Sequence, residues 1–273
     1  MCRVFKVSRS GYYAWVKRDD SIRNLKELKL SNKIREAFEK SRKIYGSPRL
    51  HSQLKADGIN VSRAKVARKM KALGIKSKSF KKHRYCESKE KHCKFVADNL
   101  LDRGFEVTQK NKVWLGDITY IDTNQGWLYL AAVLDMCTRK IVGWAMSENI
   151  DSDLSCTALN MAIGKEHLGE DMIFHSDRGV QYACSAFKNT LTNNAITPSM
   201  SRKGNCWDNA PMESFFHSLK TEWTNHQSFK TRLQARQSIF EWIEVFYNRE
   251  RIHSSLGYKS PLAYEEELVL KAA

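Results

Sequence analysis

Hydrophobic positions along the chain follow two regimes. Toward the N-terminus they recur every three or four residues. Leu25, Leu28, Leu30, Ile34, Ala37, Phe38 and Ile44 stand at this spacing, which predicts one or two amphipathic helices over 22–45. Ser47-Pro48 reads as an N-cap followed by Pro at the first helical position, opening a short helix from Arg49 to Ala56 with Leu50 and Leu54 on one face. Asp57-Gly58 breaks that helix. Ser62 caps the next, where Val66, Met70 and Leu73 share a face and Gly74 marks the stop. Helix, tight turn and basic helix make the helix-turn-helix pattern. The outer face of its second helix offers Arg63, Lys65, Arg68, Lys69 and Lys71 to DNA. Any small three-helix domain with a basic surface gives the same pattern.

From Asn111 the texture changes. NKVWLGDITYID is β-branched and aromatic, and WLYLAAVLDM and KIVGWAMS follow after short polar joints, which predicts three consecutive strands in a meander. SDLSCTALNMAIGKEHL then has helical spacing, MIFHSD reads as a short buried strand, SAFKNTLTNN as a helix and ITPSMS as another strand. After the loop RKGNCWDNAP comes the helix MESFFHSLKTEW. The order β-β-β-α-β-α-β-α predicts a three-layer mixed α/β domain, and it matches in order the ribonuclease-H-like fold, a five-stranded mixed sheet with flanking helices. A tail helix, RLQARQSIFEWIEVFYNRERIHSSL, is expected to pack back on this domain, with Arg249, Arg251 and His253 available to extend a DNA surface. The expected boundaries are 1–75 for the small all-α region, 76–104 for a linker and 105–265 for the α/β domain with its C-terminal helices.

Charge separates the same two halves. Residues 1–103 hold 29 Lys/Arg and 10 Asp/Glu, a net of +19, and residues 104–273 hold 17 and 20, a net of −3. A basic half beside a near-neutral half predicts a polyanion-binding module joined to something else. Nucleic acid is the expected polyanion, because Lys/Arg contacts to phosphate dominate such affinity. The segment 76–94 is dense in basic groups and has almost nothing to bury. Its His83, Cys86, His92 and Cys93 lack the paired spacing of zinc ligands. The longest apolar run, Trp127 to Leu134, is eight residues, against roughly 20 for a membrane-spanning helix. The N-terminal residues have no signal-peptide stretch, and seven scattered cysteines read as reduced thiols. A cytoplasmic, nucleoid-associated protein is expected.

Three carboxylates carry the chemistry. Asp117 lies on or just beyond the first strand, Asp177 ends the MIFHSD strand, and Glu213 sits in the first turns of the helix after the Gly/Asn loop. With the first and fourth strands as neighbours, Asp117 and Asp177 meet at the sheet centre and the helix supplies Glu213. One Asp at a strand end is ordinarily a cap or a surface charge. Three that converge repel one another unless hard divalent cations, which prefer oxygen ligands, lie between them. Two Mg²⁺ (or Mn²⁺) ions about 3.5–4 Å apart can bind the attacking and leaving oxygens of an in-line phosphoryl displacement. Sixty positions separate Asp117 from Asp177, and 35 residues lie between Asp177 and Glu213.

The segments WLGDITYI, FHSDRGVQY, SMSRKGNCWDNAPMESFFHSLKTE and YNRERIHSSLGYKSPLAY, and the opening VSRSGYYAW, resemble those of insertion-sequence transposases related to retroviral integrases. The match is to the type with two overlapping frames, and to the second-frame product. It covers nearly the whole chain, with the motifs in order and the Asp-Asp-35-Glu spacing intact. The resemblance implies an integrase-type catalytic core and a metal-dependent DNA recombinase that nicks element ends and joins the 3′-hydroxyl to another strand. It places Asp117, Asp177 and Glu213 at the metal-ligand positions. Lys220, two helical turns after Glu213 and on the same face, takes the position of a basic residue that contacts element-end DNA. It also implies double-stranded DNA (element ends and target) as partner and a homo-multimer on DNA. An upstream-frame product, separate or fused, is expected to carry a further helix-turn-helix and a coiled coil that this chain lacks.

Asn209, one turn before Glu213, can orient a ligand or phosphate, or cap the helix together with Asp208. His175, Ser176 and Arg178 flank Asp177 and can position phosphate or pack the strand end. Trp114, Trp127, Trp144, Trp223 and Trp242 read as core or interface, whereas Trp207, in the loop beside Glu213, can stack on a frayed base. A DNA-binding accessory subunit, or a plain nuclease of the same fold, stands as the alternative function.

Overall fold

The computed structural model describes residues 2, 4–17, 21–78, 97–101, 107–202 and 209–272. His83, Cys86, His92, Cys93, Trp207 and Asp208 lie outside these, as does most of the expected linker 76–104. The chain divides into two compact units, Met1–Lys78 and Ser79–Ala273.

The first unit is helical: α1 (Arg9–Val16), α2 (Ile22–Lys40), α3 (Ser47–Ala56) and α4 (Arg63–Ala72). Ile34, Ala37 and Phe38 of α2, Leu50 and Leu54 of α3, and Val66 and Met70 of α4 form a small apolar core. Leu25 and Leu28, expected on the inner face, are exposed, and the buried residues of the 19-residue α2 begin at Ile34. The start of α3 also differs from the expectation. Gly46 occupies the N-cap, and Ser47 and Pro48 lie inside the first turn. Ser62 does cap α4, accepting from the Lys65 amide at 3.3 Å. Gly58 and Gly74, with φ of +78° and +67°, take the left-handed conformation that ends each helix.

The second unit is built on a five-stranded sheet in the order β3-β2-β1-β4-β5. Its strands are β1 (Val113–Ile121), β2 (Leu128–Asp135), β3 (Ile141–Ser147), β4 (Ile173–Ser176) and β5 (Thr197–Met200). The first three form the antiparallel meander, and β4 and β5 add in parallel on the other side of β1. β1 is therefore central and is buried from Val113 to Gly116. One face of the sheet packs on α5 (Ser152–Lys165) and α6 (Ser185–Asn193), burying Trp114, Val133, Val142, Leu154, Ala158, Phe174 and Phe187 in one core. Gly143 lets α5 come close: a Cβ there would lie 2.2 Å from the Ala158 carbonyl oxygen.

α7 (Ala210–Glu222) packs against β1. After it, α8 (Arg232–Glu241) runs on as a π-helix, Trp242–Glu250, whose Trp242 and Tyr247 stack around Phe215 of α7. α9 (Pro261–Ala272), beyond the expected boundary at 265, is tied down through Glu265, which meets Lys110 at 2.5 Å and Lys140 at 2.7 Å. Leu100 is also part of this unit, its amide donating to Ser199 Oγ of β5 at 2.9 Å. No helix among the described residues is long and apolar enough to cross a membrane.

Candidate active site

The sheet register builds the site. β1 and β4 are parallel neighbours, and their pairing ends at Gly116↔Ser176. The next residue along each is Asp117 and Asp177, so the two carboxylates stand side by side on strands about 4.8 Å apart. They lie at the carboxyl ends of two parallel strands, where β1 meets an antiparallel neighbour on one side and a parallel one on the other, the place where α/β sheets open a crevice. Gly116 is required there by packing, since a Cβ would fall 2.4 Å from the Phe174 ring.

α7 brings the third carboxylate. At its N-cap, Asn209 is buried and its side-chain amide donates to the Gly116 carbonyl at 3.3 Å. It makes no side-chain capping bond. Asn209 thus ties the start of α7 to the strand residue just before Asp117, and Glu213 follows one turn later. Pro211 in the first turn has no amide to leave unsatisfied.

The electrostatics show the three charges in one field. Burial first, and then the Asp177 carboxylate, push the Asp117 carboxyl well above its ordinary range, and Glu213 adds to this. The Ile118 amide, which donates to Asp117 Oδ1 at 2.8 Å, and the Lys220 ammonium act against it. Burial also raises Glu213. Lys220, half-buried on α7, is lowered by burial and held up by Asp117, and its Nζ sits 4.4 Å above the Tyr120 ring. Lys220 thus sets a cation against Asp117, which also feels Asp177 and Glu213. The donors are all carboxylate oxygens, the set a hard divalent cation prefers, and their excess charge is what such a cation would offset. Among the described residues no three His, Cys, Asp or Glu side chains yet close around a single point.

The residues beside Asp177 are held by hydrogen bonds to β5 and the chain after it. His175 is fully buried, its two ring nitrogens bonded to Ser199 Oγ at 2.9 Å and Ser201 Oγ at 3.0 Å, which locks β4 to β5 and the chain beyond it. Arg178 Nε donates to the Ser201 carbonyl at 2.8 Å. Asp177 Oδ1 accepts from the Gly179 amide at 2.9 Å, fixing the turn after the strand. Sequence reasoning passed over Tyr182, which lies beneath Gly116; burial and then Asp117 and Asp177 raise its phenol well above the usual value. Its place in FHSDRGVQY was visible, but no periodicity marks it as facing the carboxylates.

One expectation is corrected, for Arg251, and one is narrowed, for Trp127. Trp127 is not core: it is 48% exposed and stands edge-on to Tyr120, itself 55% exposed, with ring centroids 5.0 Å apart. It stands at the turn between β1 and β2. Trp114 and Trp242 are fully buried as expected. Arg251 is no surface group: it is 3% exposed and forms a two-pronged ion pair with buried Glu222, at 2.7 and 2.6 Å. A cation so enclosed is held by its partner and turned away from solvent.

On α4 the basic face divides. Arg63, Arg68 and Lys71 are exposed. Lys65 and Lys69 reach instead to Glu27 of α2, at 2.6 and 2.7 Å. These two lysines pull the Glu27 carboxyl down to about 2.

This sheet order with carboxylates at its carboxyl edge, behind a helix-turn-helix, defines an integrase-type catalytic core joined to a DNA-binding region. The family described as "Integrase core domain" matches over residues 107–206, a second of that description over 194–261, and "HTH-like domain" over 25–84. Such cores are generally divalent-metal dependent. The chain is 43% identical over 273 residues, the full length of both, to the "Insertion element IS600 uncharacterized 31 kDa protein" of Shigella sonnei. It is 39% identical over 269 residues, 98% of this chain and 93% of the other, to "Transposase InsF for insertion sequence IS3A" of Escherichia coli (strain K12). Among solved structures it is similar to the HTLV-2 integrase catalytic core domain in complex with magnesium, at 14% identity and TM-score 0.44 over 56% of this chain and 95% of that one. It is also similar to the catalytic domain of Mos1 mariner transposase, at 15% identity and TM-score 0.41 over 58% and 76%. The chain belongs to the IS3 family of insertion-sequence transposases, of the Asp-Asp-Glu type.

Proposed function

We propose that the chain nicks the ends of its insertion element and joins the exposed 3′-hydroxyl to another DNA strand, with Asp117, Asp177 and Glu213 as the catalytic triad. The observation that supports this is the adjacency of Asp117 and Asp177 at the carboxyl ends of β1 and β4, with Glu213 entering on α7 within electrostatic reach of Asp117. Asp117, Asp177 and Glu213 would hold Mg²⁺ or Mn²⁺, two ions per site, which when bound supply an activated oxygen nucleophile and a counter-charge for the leaving oxygen.

The protein's own groups do the rest. The register of β1 with β4 sets the spacing of the two aspartates. Asn209 sets the entry of α7 and so the reach of Glu213. Lys220 faces the substrate side and takes a phosphate near the cut. Arg178 lines the edge beside Asp177. Arg63, Arg68 and Lys71 of α4 meet backbone phosphates, and Lys65 and Lys69 join them when DNA competes for them with Glu27. Two element ends must be handled together, which calls for a multimer on DNA and for the upstream-frame product, separate or fused, to add end recognition. Such work is done in the cytoplasm, at the nucleoid.

The test incubates the protein, alone and fused to the upstream-frame product, with labelled DNA carrying the element ends plus Mg²⁺ or Mn²⁺. Nicked and joined strands are expected, absent in Asp117→Asn while gel-shift binding persists. DNA binding with no nick in either form overturns the reading.

A further inference from the structure

β1 outruns its parallel neighbour. Beyond Gly116↔Ser176 no residue of β4 pairs with it, yet it continues to Ile121 and turns into β2 through Thr123–Trp127. Beside this overhang lies a cavity of about 330 Å³ lined by Tyr120, Asp122, Trp127, Lys220, Gln227 and Phe229, among others. That volume is at the lower end of small-molecule sites.

Its walls are fastened. The Asn124 amide donates to the Phe229 carbonyl at 2.9 Å. Thr123 Oγ1 donates to the Gly126 carbonyl at 2.6 Å. Arg232 donates from Nε to the Trp127 carbonyl at 3.2 Å and pairs with Glu148 at 2.6 Å. A turn cross-linked to α8 in this way holds its indole in place. Tyr120 and Trp127 nevertheless leave about half their surface to solvent, as core aromatics do not, and Lys220, which lines the cavity, is the lysine that also faces Asp117.

We propose that this cavity is the seat of an unstacked nucleobase adjacent to the phosphate under attack, the base stacking on Trp127 and Tyr120 while Lys220 holds its phosphate. Tyr120 is three residues from Asp117 along β1, about 10 Å at strand rise, which is the reach of one or two nucleotides. Base–aromatic stacking is tolerant of sequence, so the cavity selects for an opened duplex end and not for a particular base. It gives the protein a means to fray the end it cuts. This inference rests on the reading of the site as DNA-processing.

The test uses short duplexes, fully paired or with one end unpaired, carrying a fluorescent adenine analogue in the unpaired strand. Binding is measured with Asp117→Asn as background so that no strand is cut. The expected result is a preference for the unpaired end with a change in analogue emission, both lost in Trp127→Ala and kept in Trp127→Phe. Affinity for the unpaired end should fall about tenfold or more in Trp127→Ala, with affinity for the paired duplex unchanged. Binding of both duplexes with the same affinity and emission in Trp127→Ala and its parent overturns the inference and leaves the proposed activity standing. Absence of DNA binding altogether overturns both.

Discussion

Two clusters in this protein are made of the same groups in opposite ratio. Between α2 and α4, one carboxylate, Glu27, lies between two lysines, Lys65 and Lys69, at a partly exposed position. At the edge of the sheet, among the described residues, Asp117 feels two further carboxylates, Asp177 and Glu213, and one lysine, half-buried Lys220. The first arrangement pulls its carboxyl down to about 2. The second pushes Asp117 and Glu213 up. A fold selected only for stability has no reason to bury surplus negative charge, because desolvation and repulsion both oppose it. Strain of this kind at one sheet edge supports the proposed site. The partly exposed cluster shows the reverse: the surplus there is positive, suited to a phosphate backbone.

The largest expected effect is at the acidic cluster. Asp117→Asn should reduce strand cleavage by more than the roughly 10–100-fold that loss of an outer-shell partner of a metal site costs, read on labelled element ends. The same substitution should raise the melting temperature of the metal-free protein, since it removes a carboxylate that repels its neighbours. An unchanged or lower melting temperature would show that the cluster is not strained.

A third cluster sharpens the comparison. Glu222 and Arg251 are buried and balanced one to one. Removing one partner, as in Arg251→Met, should cost roughly 3–5 kcal/mol of stability, measured by urea unfolding. Replacing both by apolar residues should restore most of it. Balance, not burial alone, thus separates a structural pair from the site. Lys220→Ala comes next: it should weaken cleavage about tenfold or more at limiting DNA, the scale of one lost charge-assisted hydrogen bond, with little effect on unfolding.

The smallest effect is at the partly exposed cluster. Glu27→Gln should strengthen DNA binding a few-fold, with the salt dependence steeper by up to about two phosphate contacts, measured by titration at several salt concentrations. The pH responses should have opposite sign. Glu27 has a depressed value, so its contribution is present above the ordinary 4.5 and is lost as pH falls toward about 2. Asp117 and Glu213 have raised values, so the metal-free fold is favoured below their ordinary range and loses stability as pH rises through the raised ones. Thermal melts of the metal-free protein across acidic to neutral pH, with and without Asp117→Asn, read the second slope: the substitution should flatten it.

Much of this was legible in the chain. Periodicity marked the helices of the first unit and the strand order of the second, and the positions of Asp117, Asp177 and Glu213 were visible from strand ends, loop and spacing. Arg251 was not legible, because a guanidinium on a tail helix looks the same in sequence whether it meets phosphate or Glu222. The pairing of Lys65 and Lys69 with Glu27 was hidden for a similar reason: their partner lies some forty residues away on another helix.

Local pattern, charge and motif spacing determined by themselves that this is a basic helical region followed by a mixed α/β core with three candidate carboxylates. These are properties of residues a few positions apart, where backbone period and side-chain type suffice. Only the tertiary structure decided which charges are shared and which are open. It set β4 beside β1 so that Asp117 and Asp177 adjoin, let β1 overrun to expose Tyr120 and Trp127, and enclosed Arg251. Those outcomes depend on strand register and on helix entry angles, fixed by contacts such as Asn209 to Gly116 that join residues far apart in the chain.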